Sequence, residues 1–216
     1  MDFQRARNER QKNIRRDQII EATIKLFEKE PLEKITLASI ASELNFSRAN
    51  LYKYVTTKEE IFLWIMASDS EKWAEQVKLR FEEYDQLELK TFCRLWSEQL
   101  YQHQRLIKLF SLFTIMIEKT APFTTLETLK QDFFINFKSL KVTIERFLPD
   151  LSNKQFKHFM EYQIHYALGL FSAISSNEKQ REALEAAGFC YHKRDFIAEF
   201  AAYLEVIILG FRAENV

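Results

Sequence analysis

Glycine and proline are nearly missing, three of each in 216 residues, where average usage runs about 7% and 5%. Strand-rich folds use those residues in their many turns, so the scarcity argues against a sheet and for long helices joined by short connections. Cysteine is as scarce: Cys93 and Cys190 stand far apart with no ligand-like spacing. That argues against a disulfide framework and a structural zinc site. The most apolar run, residues 196–211, is interrupted by Glu199 and Glu205 and falls short of the roughly 18 residues a membrane span needs. The first residues are charged and carry no apolar signal core. No G-x-S-x-G, H-E-x-x-H, phosphate-binding loop or Gly-rich fingerprint occurs, and no nucleophile–base pair can be placed. These absences lead us to expect a reduced, soluble, cytoplasmic protein, with no membrane partner, no enzymatic activity, no cofactor and no metal.

What the chain does have is apolar bulk and an uneven charge. Hydrophobic residues make up 47%, ample for a packed core. The formal charge is zero, but residues 1–58 hold 12 Lys/Arg against 8 Asp/Glu and residues 59–216 hold 19 against 23. Arg5, Arg7, Arg10, Lys12, Arg15 and Arg16 crowd the first sixteen positions. Such an arm suits a phosphate backbone, though over residues 1–9 it can equally be a solvated tail.

Apolar periodicity predicts a first helix from about residue 10 to Lys29, with Ile19, Thr23, Leu26 and Phe27 on one stripe. Pro31 breaks it. Thr36 is placed to cap a short helix through Leu44, and Ser47 a third. Thr57 and Glu60 read as a capping box opening a fourth helix to about Phe81. Further helices are expected over 87–103, 105–120, 125–147, 153–175 and 194–211, with Thr124 and Ser152 as caps. A short one near 178–187 should end at Gly188.

The stretch from Leu37 to Tyr54 carries the most information. Ile40, Leu44, Phe46, Leu51 and Tyr54 fall where two short helices crossing steeply bury their contact, and Ala41 falls at the closest approach. Asn45 sits at the turn, where a left-handed residue is needed and Asn tolerates φ > 0. This is a helix-turn-helix pattern. On its second helix Leu51 points inward, whereas Arg48, Ala49, Tyr52 and Lys53 lie on the other side and Ser47 and Asn50 at the N-terminal edge. A helix so placed enters the DNA major groove N-terminus first. Arg48 is then suited to guanine and Asn50 to adenine, with Tyr52 and Lys58 suited to phosphate oxygens. Tyr54 is open to either core packing or backbone contact.

"TLASIASELNFSRANLYKYVTTKEEIF" resembles the N-terminal signature of the tetracycline-repressor (TetR/AcrR) family of bacterial transcription regulators. Thr36, Ile40, Ala41, Ser47, Leu51, Tyr52, Tyr54, Val55, Lys58 and Glu59 match its pattern. Asn45 replaces the usual turn Gly, and "KEPLEK" lacks the Gly common after helix one. The resemblance covers about residues 10–65. It implies an all-α chain in two domains. Residues 1–58 would form the basic arm and three-helix DNA-binding domain, and 59–216 a helical bundle for ligand binding and dimerisation.

The last helix adds its own evidence, being apolar almost all round. Phe196, Phe200, Tyr203, Ile207 and Phe211 form one side, and Ala198, Ala202, Val206 and Leu209 another. Such a helix must be buried on more than one side, and a second copy of the chain is the natural cover. Helix 153–175 sets His158, Tyr162, His165, Gly169 and Ser172 opposite its core face. The family dimerises through its last two long helices, which implies an interface of His158, Tyr162, His165, Gly169, Phe200, Tyr203 and Ile207. His158 and His165 are two turns apart, about 10 Å by helix rise, too far to hold one metal ion without another helix.

Seventeen of the twenty Phe lie after residue 58. Core packing accounts for most of them. The family's ligand cavity inside this bundle makes Phe92, Trp96, Phe113, Phe134, Phe137 and Tyr166 candidates to line a site for an apolar or aromatic effector. The expected function is a homodimeric, ligand-responsive regulator, most simply a repressor, on a near-palindromic double-stranded operator. The rival is a helical ligand carrier or enzyme whose basic N-terminus only anchors it.

Overall fold

A computed structural model of the chain describes residues 2–175, 178–188 and 194–214; Cys190 lies outside them. Among the described residues there are helices and no strands. In order they are α1 (Asp2–Lys29), α2 (Leu37–Glu43), α3 (Arg48–Leu51), α4 (Lys58–Glu82), α5 (Leu89–Gln102) and α6 (Gln104–Leu112). Next come a π-helical turn (Phe113–Ile117), α7 (Glu118–Thr120), α8 (Phe123–Phe147), α9 (Asn153–Ile174), α10 (Glu178–Ala186) and α11 (Phe196–Ala213). The basic arm is therefore helical from Asp2 onward, as a continuation of α1. The single helix expected over 105–120 is interrupted by the π turn.

Local chemistry explains most boundaries. The Thr36 hydroxyl accepts from the Ser39 amide at 3.1 Å while the Thr36 amide donates to the Ser39 hydroxyl at 3.0 Å, so both orphan donors at the start of α2 are satisfied. Ser152 caps α9 through a reciprocal exchange with Gln155, and the Asp195 carboxylate accepts from the Ile197 and Ala198 amides at the start of α11. At α4 the cap is offset from expectation. The Thr57 hydroxyl accepts from the Glu60 amide at 3.2 Å, but the Glu60 carboxylate reaches back one residue further and accepts from the Thr56 amide at 2.9 Å. Thr124 does not cap α8: the helix opens at Pro122, whose carbonyl already accepts from the Leu126 amide. Proline is tolerated just ahead of the first turn because the helix makes no use of an N–H there.

Contacts gather the chain into two compact units, one of residues 1–68 with 112–132 and the other of 69–111 with 133–216. Residues 58–68 of α4 thus belong to the first unit. Its core is mostly aliphatic: Ile19, Phe27, Leu32, Ile35, Ile40, Leu51, Ile61, Phe62 and Ile65 are all buried, with Phe27 set edge-on to Phe62 at 5.3 Å.

The second unit is centred on Trp96 of α5. Phe92 stacks against it at 5.9 Å, and Phe81, Trp73 and Phe159 meet it edge-on at 6.1, 5.7 and 5.6 Å. The Trp96 indole N–H donates to the side-chain oxygen of buried Gln163. Truncating such a residue to alanine costs about 3–5 kcal/mol. Arg105 of α6 clamps the buried Asp69 of α4 through two bonds of 2.7 and 2.6 Å. Cys93 is buried here, and desolvation pushes its thiol up to about 12, which leaves it an inert apolar filler.

Candidate nucleic-acid interface

The recognition element begins with a forced turn. Asn45 takes φ 54°, the only positive φ outside glycine among the described residues. The Phe46 amide then donates to the Ala41 carbonyl at 2.8 Å and the Asn45 amide to the Ser42 carbonyl at 3.1 Å. This reversal brings α2 and α3 together over buried Ile40, Ala41 and Leu51. Leu44, Phe46 and Tyr54 are only half-buried around that contact. The left-handed turn expected of Asn45 is present.

Beyond it, α3 is shorter than the sequence suggests, four residues long. The Ser47 hydroxyl accepts from the Asn50 amide at 3.2 Å, and tighter turns carry the chain on, with the Lys53 amide donating to Asn50 and the Tyr54 amide to Leu51. Ser47, Arg48, Ala49, Tyr52 and Lys53 are exposed, Asn50 and Tyr54 half-exposed, and Leu51 points inward at 1% exposure. Arg48, Tyr52 and Lys53 are thus displayed on one outward patch, with no acidic residue in the loop-and-helix stretch 44–58. Thr36 is exposed as the cap of α2.

Lys58 is placed differently from the phosphate contact expected of it. It is half-buried, and its ammonium donates to the Leu32 and Ile35 carbonyls at 2.7 and 2.8 Å. Two more cations of the same unit, both exposed, lie over aromatic rings. The Arg16 guanidinium lies 4.5 Å above the Trp64 ring, and burial there pulls its pKa down, against the raising effect of Asp132, Asp17 and Glu60. Arg15 donates to Gln18 at 2.7 Å and lies 5.4 Å over Phe46. Sequence alone gives Lys58 no mark that separates it from the displayed cations.

The six candidate effector contacts have different surroundings within the two units. Phe92 and Trp96 are fully buried in the second unit's core. Phe113 is buried in the first unit, with the Lys130 ammonium 4.7 Å from its ring. Phe134 and Phe137 stand on the outside of α8 at 72% and 38% exposure. Tyr166 is stacked face to face on Tyr203 at 3.7 Å. A shallow groove of about 230 Å³ runs along α4 and α8 over Phe81, Thr143 and Phe147, touching none of the six.

The interface residues expected on α9 and α11 divide as well. Tyr162, His165 and Gly169 are exposed, and His158, Tyr203 and Ile207 half-buried. His158 stacks on Tyr162 at 5.3 Å. Burial, with Tyr166 and Tyr162 close by, raises the pKa of the Tyr203 phenol. Phe200 is fully buried between Phe196 and Tyr166 and so cannot meet a partner. The outward face of α11 is the other stripe: Ala198, Ala202, Val206 at 68% and Leu209 at 48% exposure. Among the described residues no three His, Cys, Asp or Glu side chains converge as a metal site, and no helix is long and apolar enough to cross a membrane.

A three-helix head with a left-handed turn, a capped reading element and an outward basic–aromatic patch defines a helix-turn-helix protein. Residues 19–65 match the family profile of bacterial regulatory proteins, tetR family, and residues 67–215 match the tetracyclin repressor-like C-terminal domain. The chain belongs to the TetR family of bacterial transcription regulators. Among solved structures it resembles the fatty acid degradation regulator FadR of Bacillus halodurans, at TM-score 0.53 and 10% identity over 90% of this chain and 94% of that one. A candidate fatty acid metabolism regulator of Clostridium perfringens overlays at TM-score 0.48 and 17% identity, over 89% and 97%. No curated protein sequence matches the chain.

Proposed function

We propose that the chain is a homodimeric repressor that reads a near-palindromic operator through residues 1–58 and leaves it when a small apolar or aromatic effector binds within residues 59–216. The observation that carries the DNA reading is the outward patch of Arg48, Tyr52 and Lys53 on an element whose far side is locked by Leu51. Arg48 reads a guanine edge and Asn50 an adenine edge. Tyr52, Lys53 and the Ser47 and Thr36 ends of α3 and α2 face the backbone, with Ala49 close to the groove floor and Tyr54 supporting the turn.

Dimerisation through α9 and α11 is supported by the exposed Ala198, Ala202, Val206 and Leu209 stripe. Gly169 and Gly210 reinforce it, since a Cβ at either would meet nothing within 4 Å, which leaves room for a close partner helix. His158, Tyr162, His165, Tyr203 and Ile207 flank that stripe. The function named for the Bacillus halodurans relative makes a fatty acid the first effector to try. Such a regulator works in the bacterial cytoplasm.

The test is a mobility-shift titration against DNA from upstream of the chain's own gene, in the presence of excess non-specific competitor. A discrete complex on a near-palindrome, with half-sites about one helical turn or more apart, is the expected result. Retardation that competitor abolishes on every fragment would refute the operator reading. Release by added fatty acids would identify the effector class.

A further inference from the structure

We infer that Lys58 is a positioning residue for DNA recognition and does not itself hold a phosphate. Its ammonium is half-buried and donates to two main-chain carbonyls, Leu32 at 2.7 Å and Ile35 at 2.8 Å. Charge-assisted bonds of that length are the stronger kind; if the ammonium swung out to a phosphate, the Ile35 carbonyl would lose it as a donor and the Leu32 carbonyl would keep only the Ile35 amide at 3.2 Å. Leu32 and Ile35 lie in the connection between α1 and α2, directly before Thr36, the cap of α2. Both side chains are buried, at 1% and 0% exposure, so the connection is held by its side chains from inside and by Lys58 at its carbonyls.

The consequence for recognition follows from what hangs on that connection. Lys58 is the first residue of α4. By tying the connection to α4, it fixes the origin of α2, and through the Asn45 turn the direction in which α3 presents Arg48. The Arg16–Trp64 contact at 4.5 Å and the Phe27–Phe62 pair at 5.3 Å bind α1 to the same stretch of α4. Residues displayed for phosphate are instead the exposed Lys53 and Tyr52.

This inference rests on the DNA-binding reading, and the experiment separates the two: the unmodified protein must first give a specific complex. Operator and random-sequence affinities are then measured against salt for the unmodified protein, Lys58→Met and Lys53→Met, at temperatures where circular dichroism shows each fully folded. For a positioning role, Lys58→Met lowers operator affinity about tenfold or more, leaves random-sequence affinity within about twofold, and keeps the salt slope. Lys53→Met lowers that slope by about one counterion per protomer.

Equal loss on all sequences with a slope reduced by about one per protomer in Lys58→Met would make Lys58 a phosphate contact and overturn the inference. So would an unchanged operator preference. If Lys58→Met does not fold, Lys58→Gln keeps an uncharged donor at the site and should retain the slope with part of the preference. A Lys58→Gln chain that also fails to fold would reduce Lys58 to a stability residue and overturn the positioning role.

Discussion

The turn around α3 and the outer face of α11 are both offered to solvent, yet they are built on opposite principles. The first is four residues of α-helix held by one hydroxyl cap and one left-handed Asn, displaying Arg48, Tyr52 and Lys53. The second is an 18-residue helix anchored along Phe196, Phe200, Leu204, Ile208 and Phe211, all buried, and displaying only small or aliphatic side chains. A charged patch on a short element gains specificity from a few directed bonds. A long apolar stripe gains affinity from area, at about 25 cal/mol per Å² removed from water. Substitutions should therefore fail in different ways on the two surfaces.

The largest effect is expected on α11. Val206→Asp places a charge in the middle of the exposed stripe without touching the protomer's core, so it should give a folded monomer in sedimentation or light scattering. Phe200→Asp buries that charge in the core, where no partner waits, and should unfold the chain. A Val206→Asp protein that remains dimeric would move the interface off α11 and erase the contrast.

Next comes Arg48→Ala. It should cost about 1–3 kcal/mol on the preferred operator and relax preference at one base pair per half-site, with the dimer intact. Tyr52→Phe removes one hydroxyl and should weaken all sequences alike. Should Tyr52→Phe alter base preference while Arg48→Ala does not, α3 meets DNA by another face.

Much of this contrast is legible in the sequence, and the misreadings have a common cause. Periodicity and caps locate most of the helices to within a few residues, though not the start of α1 or the π turn after α6, and Asn45 is readable as left-handed because few other residues tolerate that φ. The shortness of α3 is not legible, since Tyr52, Lys53 and Tyr54 are compatible with another helical turn, and the chain leaves it only where the Lys53 and Tyr54 amides donate to Asn50 and Leu51. Charge suggests exposure at Lys58, although the carbonyls that hold it lie 23 and 26 residues away in sequence. Aromatic content suggests a pocket, although Phe92 and Trp96 close on each other in the core while Phe134 faces outward. Tertiary partners decide such cases, and composition does not name them.

Asn45 tests whether the reading head depends on its turn as strongly as α11 depends on area. Asn45→Ala forces an L side chain with little tolerance for φ 54° and should destabilise the protein by roughly 1–2 kcal/mol. Asn45→Gly should hold or slightly raise stability, since Gly meets no steric penalty there. Thermal melts of both decide the matter, and an Asn45→Ala protein as stable as the original would mean that the turn can relax.

The smallest effect, and the sharpest, is expected from Ser47→Ala. The Ser47 hydroxyl accepts from the Asn50 amide at 3.2 Å, and a lost N-cap costs about 1 kcal/mol. In a long helix that loss would fray one end and leave the rest in place. Here α3 has four residues in all, so the frayed turn is the one that carries Arg48. The unmodified start of α3 has no acidic residue to reinforce it, and the neighbouring cap at Thr36 serves α2 alone. Ser47→Ala should therefore lower operator affinity by about as much as it lowers stability, roughly fivefold for 1 kcal/mol, while base preference is kept because Arg48 still meets the same guanine when the turn is formed. The Ser47→Asp substitution retains a capping oxygen but adds a negative charge beside the DNA, so it should preserve the melting temperature and not the affinity. If Ser47→Ala instead left binding untouched at a measurable cost in stability, α3 would be held by its contacts to α2 alone, and the short element would be no more fragile than the long one.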